Sequence, residues 1–388
     1  MANSIAEVLA PVGNWDMCMA AVHNGADAIY VGMPGFNARA RSYDHSFDEI
    51  KKIIDYCHLH GVQVYVAFNI LIFQNELSLA QEALEQLLPL GPDALIVQDL
   101  GLARLVKKIC PDQVVHASTQ MTITSSDAIR FVDDLGMKRY VLGREISLTE
   151  MKQIRSTTDK ELEVFVHGAL CVAYSGQCLT SESMGGRSAN RGQCAQSCRL
   201  DYKLIVDGEE KPLYGRDYLV SPKDLCGVDK VDQLLEIGIN SLKIEGRYKP
   251  AEYVANAAKS YKAAINNTLY PDRKDENQIN KDSMKISFSR DFFTGWLDGI
   301  DHQSLVNGRF SDHRGLCIGE VSKKLAQYKF PTIEIKSTRE LHRGDGLLFT
   351  DENEKFVFGA KVFEVNTLKE NIYRVSFDKG VNLNSLRV

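Results

Sequence analysis

The chain has 388 residues, more than the roughly 250–300 at which a single hydrophobic core usually stops growing, so one large domain and a smaller one are expected. With 44% hydrophobic and 25% charged residues, the composition is that of an ordinary globular protein and argues against a disordered one. The formal net charge of −5 gives no overall attraction to nucleic acid, so any contact with RNA or DNA would need a local basic patch.

The N-terminal stretch "MANSIAEVLAPVGNWD" has no basic segment followed by an apolar one, and the chain has no run of about 18 apolar residues. We therefore expect a cytoplasmic protein that does not bind membranes. In that reducing compartment, clustered cysteines indicate metal binding or catalysis more often than disulfide bonds.

Eight short apolar runs alternate with amphipathic helical stretches, which is typical of parallel βα units. We predict an α/β fold, a (β/α)8 TIM-like barrel over residues 1–270. A doubly wound open sheet is the alternative, but the first turn, "PVGNWD", lacks the G-x-G-x-x-G pattern. The predicted strands are residues 7–11, 28–33, 62–69, 94–99, 114–119, 139–145, 162–168 and 241–247.

Polar residues stand at the ends of these strands, where such barrels place their chemistry. In the eighth strand, Lys243, Glu245 and Arg247 alternate with apolar residues or glycine, so a period of two puts them on one face. They predict an anion-binding mouth for a carboxylate or phosphate, although a structural layer of ion pairs would use the same pattern. The other candidates at strand ends are Asn69, Gln120, Arg144 and His167.

A long insertion, residues 171–240, interrupts the repeat after the seventh strand and begins with four closely spaced cysteines, Cys171, Cys178, Cys194 and Cys198. Long loops of this kind are usually functional. Four thiolates can hold zinc or an iron–sulfur cluster, and the absence of C-x2-C pairs favours a 4Fe-4S cluster over zinc. Nucleophilic catalysis would need only one of the four thiols. Cys226 could be a substitute ligand.

Residues after 265 lose their helical periodicity and form a polar linker. From residue 284 to 388, strand-like runs such as "TIEIKS" and "IYRVSF" are separated by turn signals, which predicts a small antiparallel domain resembling a β-barrel. Because the sequence stops soon after a strand, we expect it to be part of a longer protein.

Several segments resemble the collagenase-like peptidase U32 family: "EVFVHGALCVAYSGQCLTS", "SPKDLC", "SLKIEGRYKP" and "LAPVGNWDMCMAAVHNGADAIYVG". They occur in the family's order over residues 7 to about 266. The resemblance implies oxygen-independent hydroxylation of a pyrimidine in tRNA or 23S ribosomal RNA, with prephenate as a required small carboxylate metabolite. It also implies a 4Fe-4S cluster on Cys171, Cys178 and Cys194, with Cys198 or else Cys226 as the fourth ligand.

The segments "SRDFFTGWLDG" and "HRGLCIGEV" are most similar to the branch that hydroxylates rRNA. We therefore expect an RNA hydroxylase in which Arg144, Lys243 and Arg247 bind carboxylates or phosphates, helped by Asn69 and Gln120. His167 and Glu245 are the candidate catalytic residues, as groups that transfer protons.

Two other functions stay open. A collagenase-like peptidase would match the family's historical name, but the chain contains neither H-E-x-x-H nor G-x-S-x-G, so no zinc protease site or nucleophile elbow can be assigned. A non-enzymatic protein with a zinc-stabilised loop that binds RNA is the second alternative.

Overall fold

The computed structural model describes residues 6–37, 45–276, 279–383 and 386. The chain forms two compact units. The first combines Met1–Leu200 with Val220–Val306, and the second combines Asp201–Leu219 with Asn307–Val388. Residues 284–306, which the sequence analysis assigns to the C-terminal domain, thus lie in the first unit.

The first unit contains these helices and strands in chain order: β1 Glu7–Pro11, α1 Trp15–His23, β2 Ala28–Gly32, α2 Phe47–Leu59, β3 Gln63–Phe68, α3 Leu77–Leu87, β4 Ala94–Val97, α4 Leu100–Ile109, β5 Val115–Ala117, α5 Ser126–Val132, β6 Arg139–Val141, α6 Leu148–Arg155, β7 Glu161–Ala169 and α7 Thr180–Gly185. After β8 Leu204–Val206 and β9 Glu209–Lys211 of the second unit, it continues with β10 Asp224–Cys226, α8 Val231–Ile237, β11 Ser241–Ile244, α9 Ala251–Leu269, α10 Lys281–Ser287, β12 Phe292–Phe293 and α11 His302–Leu305.

Eight parallel strands close into a barrel, which confirms the predicted fold class. Strands β1 to β7 pair with their neighbours in chain order, and β11 closes the ring by pairing with both β7 and β1. Every residue of β2, β4 and β11 is buried, because helices cover the outside and side chains fill the inside.

Several strands are shorter than the sequence predicts, because polar residues at their ends cap the next helix instead of continuing the ladder. Strand β4 stops at Val97, and Asp99 accepts a hydrogen bond from the backbone nitrogen of Leu102 at 2.8 Å as the N-cap of α4. Strand β5 likewise stops at Ala117, and Ser118 caps a short 3-10 turn. The barrel mouth is therefore built from caps and turns.

Strand β7 changes partners along its length. Residues 163–167 pair with β11 in parallel, and His167 to Ala169 pair with β10 in antiparallel. Helix α9 continues to Leu269, four residues beyond the predicted start of the polar linker. Within the described part of the chain, no helix is both long and apolar enough to cross a membrane.

The second unit contains the β8–β9 hairpin and an antiparallel sheet, which confirms the predicted C-terminal antiparallel domain. The sheet consists of β13 Gly319–Leu325, β14 Thr332–Ser337, β15 Gly346–Thr350, β16 Phe356–Lys369 and β17 Ile372–Phe377. Its strand order is β13-β14-β17-β16-β15. Its own core includes Ile333, Phe349, Val375 and Phe377.

Candidate functional site

A cavity of about 40 Å³ opens at the carboxyl ends of the barrel strands. This volume admits a small polar group such as a carboxylate and leaves the rest of a ligand at the open mouth. Six residues predicted from the sequence lie together in its wall: Asn69, Gln120, Arg144, Lys243, Glu245 and Arg247. The wall is completed by Tyr30, Ala67, Ile96, Ser118, Thr119 and Phe165.

Among the described residues, the cavity is lined by three cationic side chains, Arg144, Lys243 and Arg247, and one carboxylate, Glu245. Although Lys243 is paired with Glu163, the two arginines leave the lining favourable to an anion. The Lys243 ammonium also lies 4.6 Å from the centre of the Tyr30 ring and 5.4 Å from that of Phe165. These aromatic faces contribute to the stabilisation of the buried ammonium.

Lys243 forms a buried ion pair below the cavity. Its ammonium donates to Glu163 Oε1 at 2.7 Å, and both side chains are almost fully buried. The alternative of a structural ion pair therefore applies to Lys243, but its partner is Glu163 on β7, a residue that the sequence analysis did not identify.

The ion pair continues into the barrel through Arg139, which contacts Glu163 at 3.3 Å and also pairs with Glu7 and Glu161. Burial opposes the Arg139 charge, but the carboxylates of Glu163 and Glu7 outweigh it and raise the pKa of Arg139. Burial likewise raises the pKa of Glu7. In the sequence, these ion pairs are indicated only by the alternation of charged and apolar residues at the start of β7.

Arg247 reaches the cavity because two glycines leave room for it. Its Nη1 donates to Asn37 Oδ1 at 3.3 Å. A Cβ on Gly32 would lie 2.8 Å from that same Nη1, and a Cβ on Gly13 would overlap the Arg247 carbonyl oxygen. Gly13, the glycine of the "PVGNWD" turn, thus lets the backbone approach Arg247 closely. The sequence analysis had used this turn only to note that it lacks a nucleotide-binding motif.

Some polar atoms of residues that follow β4, β5 and β6 lack protein partners among the described residues. These are Gln120 Oε1 and Arg144 Nε, and near them Gln98 Oε1. Arg144 is held in place by a hydrogen bond from Nη1 to the Ala169 carbonyl at 3.1 Å. Buried polar atoms are normally satisfied, so these residues offer one donor and two acceptors to water or a ligand.

His167 does not enter the cavity. It is 1% exposed and packs against the rings of Tyr253, Tyr261 and Phe292 at centroid distances of 5.4–5.6 Å. Burial lowers the pKa of His167 to about 3, so the imidazole is neutral at neutral pH. Neither ring nitrogen has a hydrogen-bond partner within the described chain.

Lys249, which the sequence analysis did not single out, lies within electrostatic range of Glu245. Burial, followed by the charge of Arg290, lowers the pKa of Lys249 to about 8, while Asp224 and Glu245 act in the opposite direction. The sequence could have indicated Lys249 as a site residue through its position in "EGRYKP", two residues after Arg247.

The four clustered cysteines are all free thiols. Burial raises the pKa of Cys198, the charge of Arg199 lowers it, and the charges of Cys171, Cys194 and Cys178 raise it further. Cys198 therefore lies within electrostatic range of the other three thiols. Among the described residues, however, no three His, Cys, Asp or Glu side chains converge on a point where one metal ion could sit.

Hydrogen bonds attach the cysteine loop to the barrel rim. The Ser175 hydroxyl donates to Glu145 Oε2 at 2.9 Å and accepts from the backbone nitrogen of Arg144 at 3.1 Å. The hydroxyl of Thr122 donates to the Ser175 carbonyl at 2.7 Å. A Cβ on Gly176, whose φ is +73°, would overlap the Gln120 carbonyl oxygen. The loop thus lies against the residues that form the cavity.

A second attachment holds the later part of the loop. Arg191 binds both carboxylate oxygens of Glu76, at 2.6 and 2.7 Å, and stacks over Phe73 at 4.3 Å. The backbone nitrogen of Ala195 donates to Ser181 Oγ at 3.0 Å, which joins the segment of Cys194 to α7.

Cys226, the predicted substitute ligand, lies in β10 and is 7% exposed. Its register partner across the antiparallel ladder is His167. Burial raises the pKa of Cys226, and its thiol is a hydrogen-bond neighbour of Tyr261. The structure therefore places Cys226 in the packed layer behind the barrel wall.

Comparison with known proteins identifies the family. The model of Peptidase family U32 matches residues 13–307. The chain is 35% identical over 376 residues to the 23S rRNA 5-hydroxycytidine C2501 synthase of Escherichia coli (strain K12), covering 95% of this chain and 56% of that protein. It is 36% identical over 264 residues to tRNA hydroxylation protein P1 of Bacillus subtilis (strain 168), covering 67% of this chain and 63% of that protein.

An uncharacterized protease of Methanocaldococcus jannaschii is 34% identical over 394 residues, which cover 98% of this chain and 95% of that protein. The chain thus spans 56% and 63% of the two RNA-hydroxylation relatives and nearly all of the archaeal one. By the family model and by these identities, the chain belongs to peptidase family U32.

Proposed function

We propose that the protein is an RNA-modifying enzyme that adds a hydroxyl group at C5 of a pyrimidine in 23S rRNA or tRNA. The names of two relatives, a 23S rRNA 5-hydroxycytidine synthase and a tRNA hydroxylation protein, support this reaction class. The structural observation that carries the proposal is the attachment of the four-thiol loop to the rim of a cationic cavity through Ser175.

In this proposal, Cys171, Cys178, Cys194 and Cys198 hold a 4Fe-4S cluster. The spacing of the four thiols supports a cluster over zinc, because the loop lacks the C-x2-C pairs that are usual in zinc ribbons. A bound cluster would supply electron transfer next to the barrel mouth.

The cavity is the proposed binding place for prephenate, the co-substrate. Prephenate carries two carboxylates, and a carboxylate is the group that the small cavity and its cations suit. Arg144, which follows β6, and Arg247, which follows β11, would bind it together with Lys243. Asn69 and Gln120 would orient its neutral polar groups.

Glu245 is the proposed residue for proton transfer, because it is the one carboxylate among the described residues that line the cavity. His167 keeps no direct role in this proposal, since its ring is buried among aromatic side chains outside the cavity. The same burial argues against a peptidase, which would need a nucleophile within hydrogen-bond reach of such a base.

RNA recognition would use the exposed apolar side chains beside the thiols. Tyr174 is 70% exposed, and Leu179 and Met184 are also largely exposed. Unpaired bases stack on aromatic side chains in this way, so the expected substrate is a flexible or single-stranded RNA segment.

The test is mass spectrometry of total RNA from cells that carry or lack the gene, followed by complementation. We expect one hydroxylated pyrimidine to disappear without the gene and to return with the wild-type chain. Cys171→Ala should not restore it, whereas Cys317→Ala, which removes another exposed thiol, one that lies in the second unit, should. An unchanged modification profile without the gene would refute the proposal.

A further inference from the structure

Another cavity, larger than the first, lies at the rim of the barrel. Its volume is about 500 Å³, and the described residues that line it include Thr122, Glu145, Ser147, Glu150, Tyr174 and Trp296. We call it the rim pocket. Pockets that bind whole small molecules measure about 300–1,000 Å³. The rim pocket can therefore admit a complete aromatic heterocycle, whereas the first cavity, at about 40 Å³, admits only a small polar group.

The rim pocket is adjacent to the first cavity, because neighbouring residues line the two. Arg144 lines the first cavity and Glu145 lines the rim pocket, and Gln120 and Thr122 are divided in the same way. Ser175 connects the two sides, since its hydroxyl accepts from the backbone nitrogen of Arg144 and donates to Glu145. A group bound in the rim pocket therefore lies beside the mouth of the first cavity.

Two aromatic side chains form part of the rim pocket. Trp296 is partly buried and packs against the hydrophobic core of the barrel, so its ring is held in place. Tyr174 belongs to the cysteine loop and is 70% exposed. Unpaired RNA bases stack on such rings largely irrespective of their identity. The aromatic rings therefore favour a base as the ligand but do not discriminate between the four bases.

The polar lining of the rim pocket accepts hydrogen bonds. Its described residues include two carboxylates, Glu145 and Glu150, and no Lys, Arg or His. The hydroxyl of Thr122 donates to the Ser175 carbonyl at 2.7 Å, and that of Ser147 donates to Glu150 Oε2 at 2.6 Å. The same Oε2 accepts from the Ser147 backbone nitrogen at 2.8 Å, whereas Oε1 forms no hydrogen bond within the described chain. A ligand in this pocket must therefore supply N–H or O–H donors.

Guanine is the RNA base that meets this requirement best. Its Watson–Crick edge presents two adjacent donors, N1–H and the N2 amine, which a carboxylate can accept together. Cytosine and adenine place their amine beside a ring nitrogen that is an acceptor, and the N–H of uracil lies between two carbonyl groups. A carboxylate is repelled by the acceptors of these three bases.

We propose that the rim pocket binds a guanine base of the RNA, stacked against Trp296 and Tyr174, with its N1–H and N2 amine donating to the carboxylates of Glu150 and Glu145. The inference rests on the proposed function for the identity of the ligand as RNA. The pocket would select RNA segments in which a guanosine lies close to the pyrimidine that is modified.

The experiment measures binding of the full-length chain to fluorescein-labelled single-stranded RNA pentamers by fluorescence anisotropy. The pentamers consist of uridine except at the central position, which is guanosine, adenosine or cytidine. The wild-type chain should bind the guanosine pentamer about 5–150-fold more tightly than the other two, which is the discrimination that a good bidentate contact to a base provides.

Glu150→Gln tests the carboxylate. It keeps the shape of the side chain but removes its charge, so the three pentamers should bind with about equal affinity. Glu49→Gln is the matched control, because Glu49 forms the same capping box with Ser46 in α2 but does not line the rim pocket, and it should keep the preference for guanosine. Tyr174→Ala should weaken the binding of all three pentamers without changing their order, since stacking does not depend on the base.

Three results would overturn the inference: no binding of the guanosine pentamer, equal binding of the three pentamers by the wild type, or an unchanged guanosine preference in Glu150→Gln. Should Glu150→Gln fail to fold by circular dichroism, Glu150→Asp carries the same comparison. It keeps the negative charge in the first turn of α6, where it suits the helix dipole, and withdraws the carboxylate from the pocket by one methylene group.

The failure of this inference and the failure of the proposed function can be told apart. A chain that prefers the guanosine pentamer, although cells without its gene keep every hydroxylated pyrimidine, would refute the proposed reaction and leave the rim pocket as a guanine site. Loss of a hydroxylated pyrimidine without the gene, together with equal binding of the three pentamers, would refute the guanine site alone.

Discussion

Replacing Glu163 by Gln tests whether the buried ion pair holds the floor of the cavity. Glu163 is fully buried and accepts from Lys243 at 2.7 Å and from Arg139 at 3.3 Å. Glutamine keeps the shape but removes the charge. Arg139 retains Glu7 and Glu161 as partners, whereas within the described chain Lys243 has no other carboxylate in an ion pair.

Removing one partner of a buried ion pair usually costs about 3–5 kcal/mol, because the other charge stays buried without compensation. We expect the free energy of unfolding to fall by about 3 kcal/mol, the lower end of this range, because Lys243 loses its carboxylate partner whereas Arg139 keeps two. At roughly 2 °C for each kcal/mol in a large domain, the melting temperature should fall by about 6 °C. Calorimetry and urea unfolding monitored by circular dichroism measure both quantities.

Glu161→Gln is the control, because it removes a more exposed carboxylate that also binds Arg139. Its expected cost is below about 1 kcal/mol. A second variant, Glu163→Gln combined with Lys243→Met, should recover most of the lost stability, since no unpaired charge remains. If Glu163→Gln alone unfolds within 1 °C of the wild type, the ion pair does not support the cavity floor.

Three further outcomes are expected. His167→Phe should make the free energy of unfolding less sensitive to acid. The native pKa of His167, about 3, lies below the unfolded value of about 6.5, so its contribution to stability is complete above pH 6.5 and is lost by up to about 1.4 kcal/mol per pH unit as the pH falls toward 3. An unchanged slope of unfolding free energy against pH would contradict this. Gly13→Ala should destabilise the barrel by about 1–3 kcal/mol through overlap with the Arg247 carbonyl, and a wild-type melting temperature would contradict it. Glu76→Gln should lower the amide-exchange protection factors of residues 180–193, because it removes the charge that binds both terminal nitrogens of Arg191. Since Arg191 holds the pKa of Glu76 at about 2, the wild type should lose the same protection only as the pH falls through about 2, with each rate compared with the intrinsic rate at that pH; unchanged protection factors in the variant would refute the attachment.

The sequence was sufficient to predict the barrel, because each buried strand is a continuous apolar run flanked by an amphipathic helix. Six residues of the cavity wall also followed, since parallel strands of a barrel all end at one rim. The ion pair of Lys243 with Glu163 could not be predicted, because it joins residues 80 positions apart across the barrel interior.

The position of His167 could not be predicted either. A strict period of two puts His167 on the same face as Phe165, which lines the cavity. The pairing of β7 with β11 is irregular at this point, with Lys243 opposite Phe165 but Ile244 opposite His167. Such an irregularity re-aims the side chains beyond it, and His167 lies among aromatic rings instead.

The hydroxyl of Ser175 forms hydrogen bonds with both Arg144 and Glu145, so one side chain connects the thiol loop to the cavity wall. Displacing the loop would break these hydrogen bonds and free the backbone nitrogen of Arg144, whose side chain lines the cavity. Under the proposed function, the position of the thiol loop and the shape of the cavity are therefore coupled, and a chain without the proposed cluster should bind a carboxylate ligand more weakly than a chain that holds it.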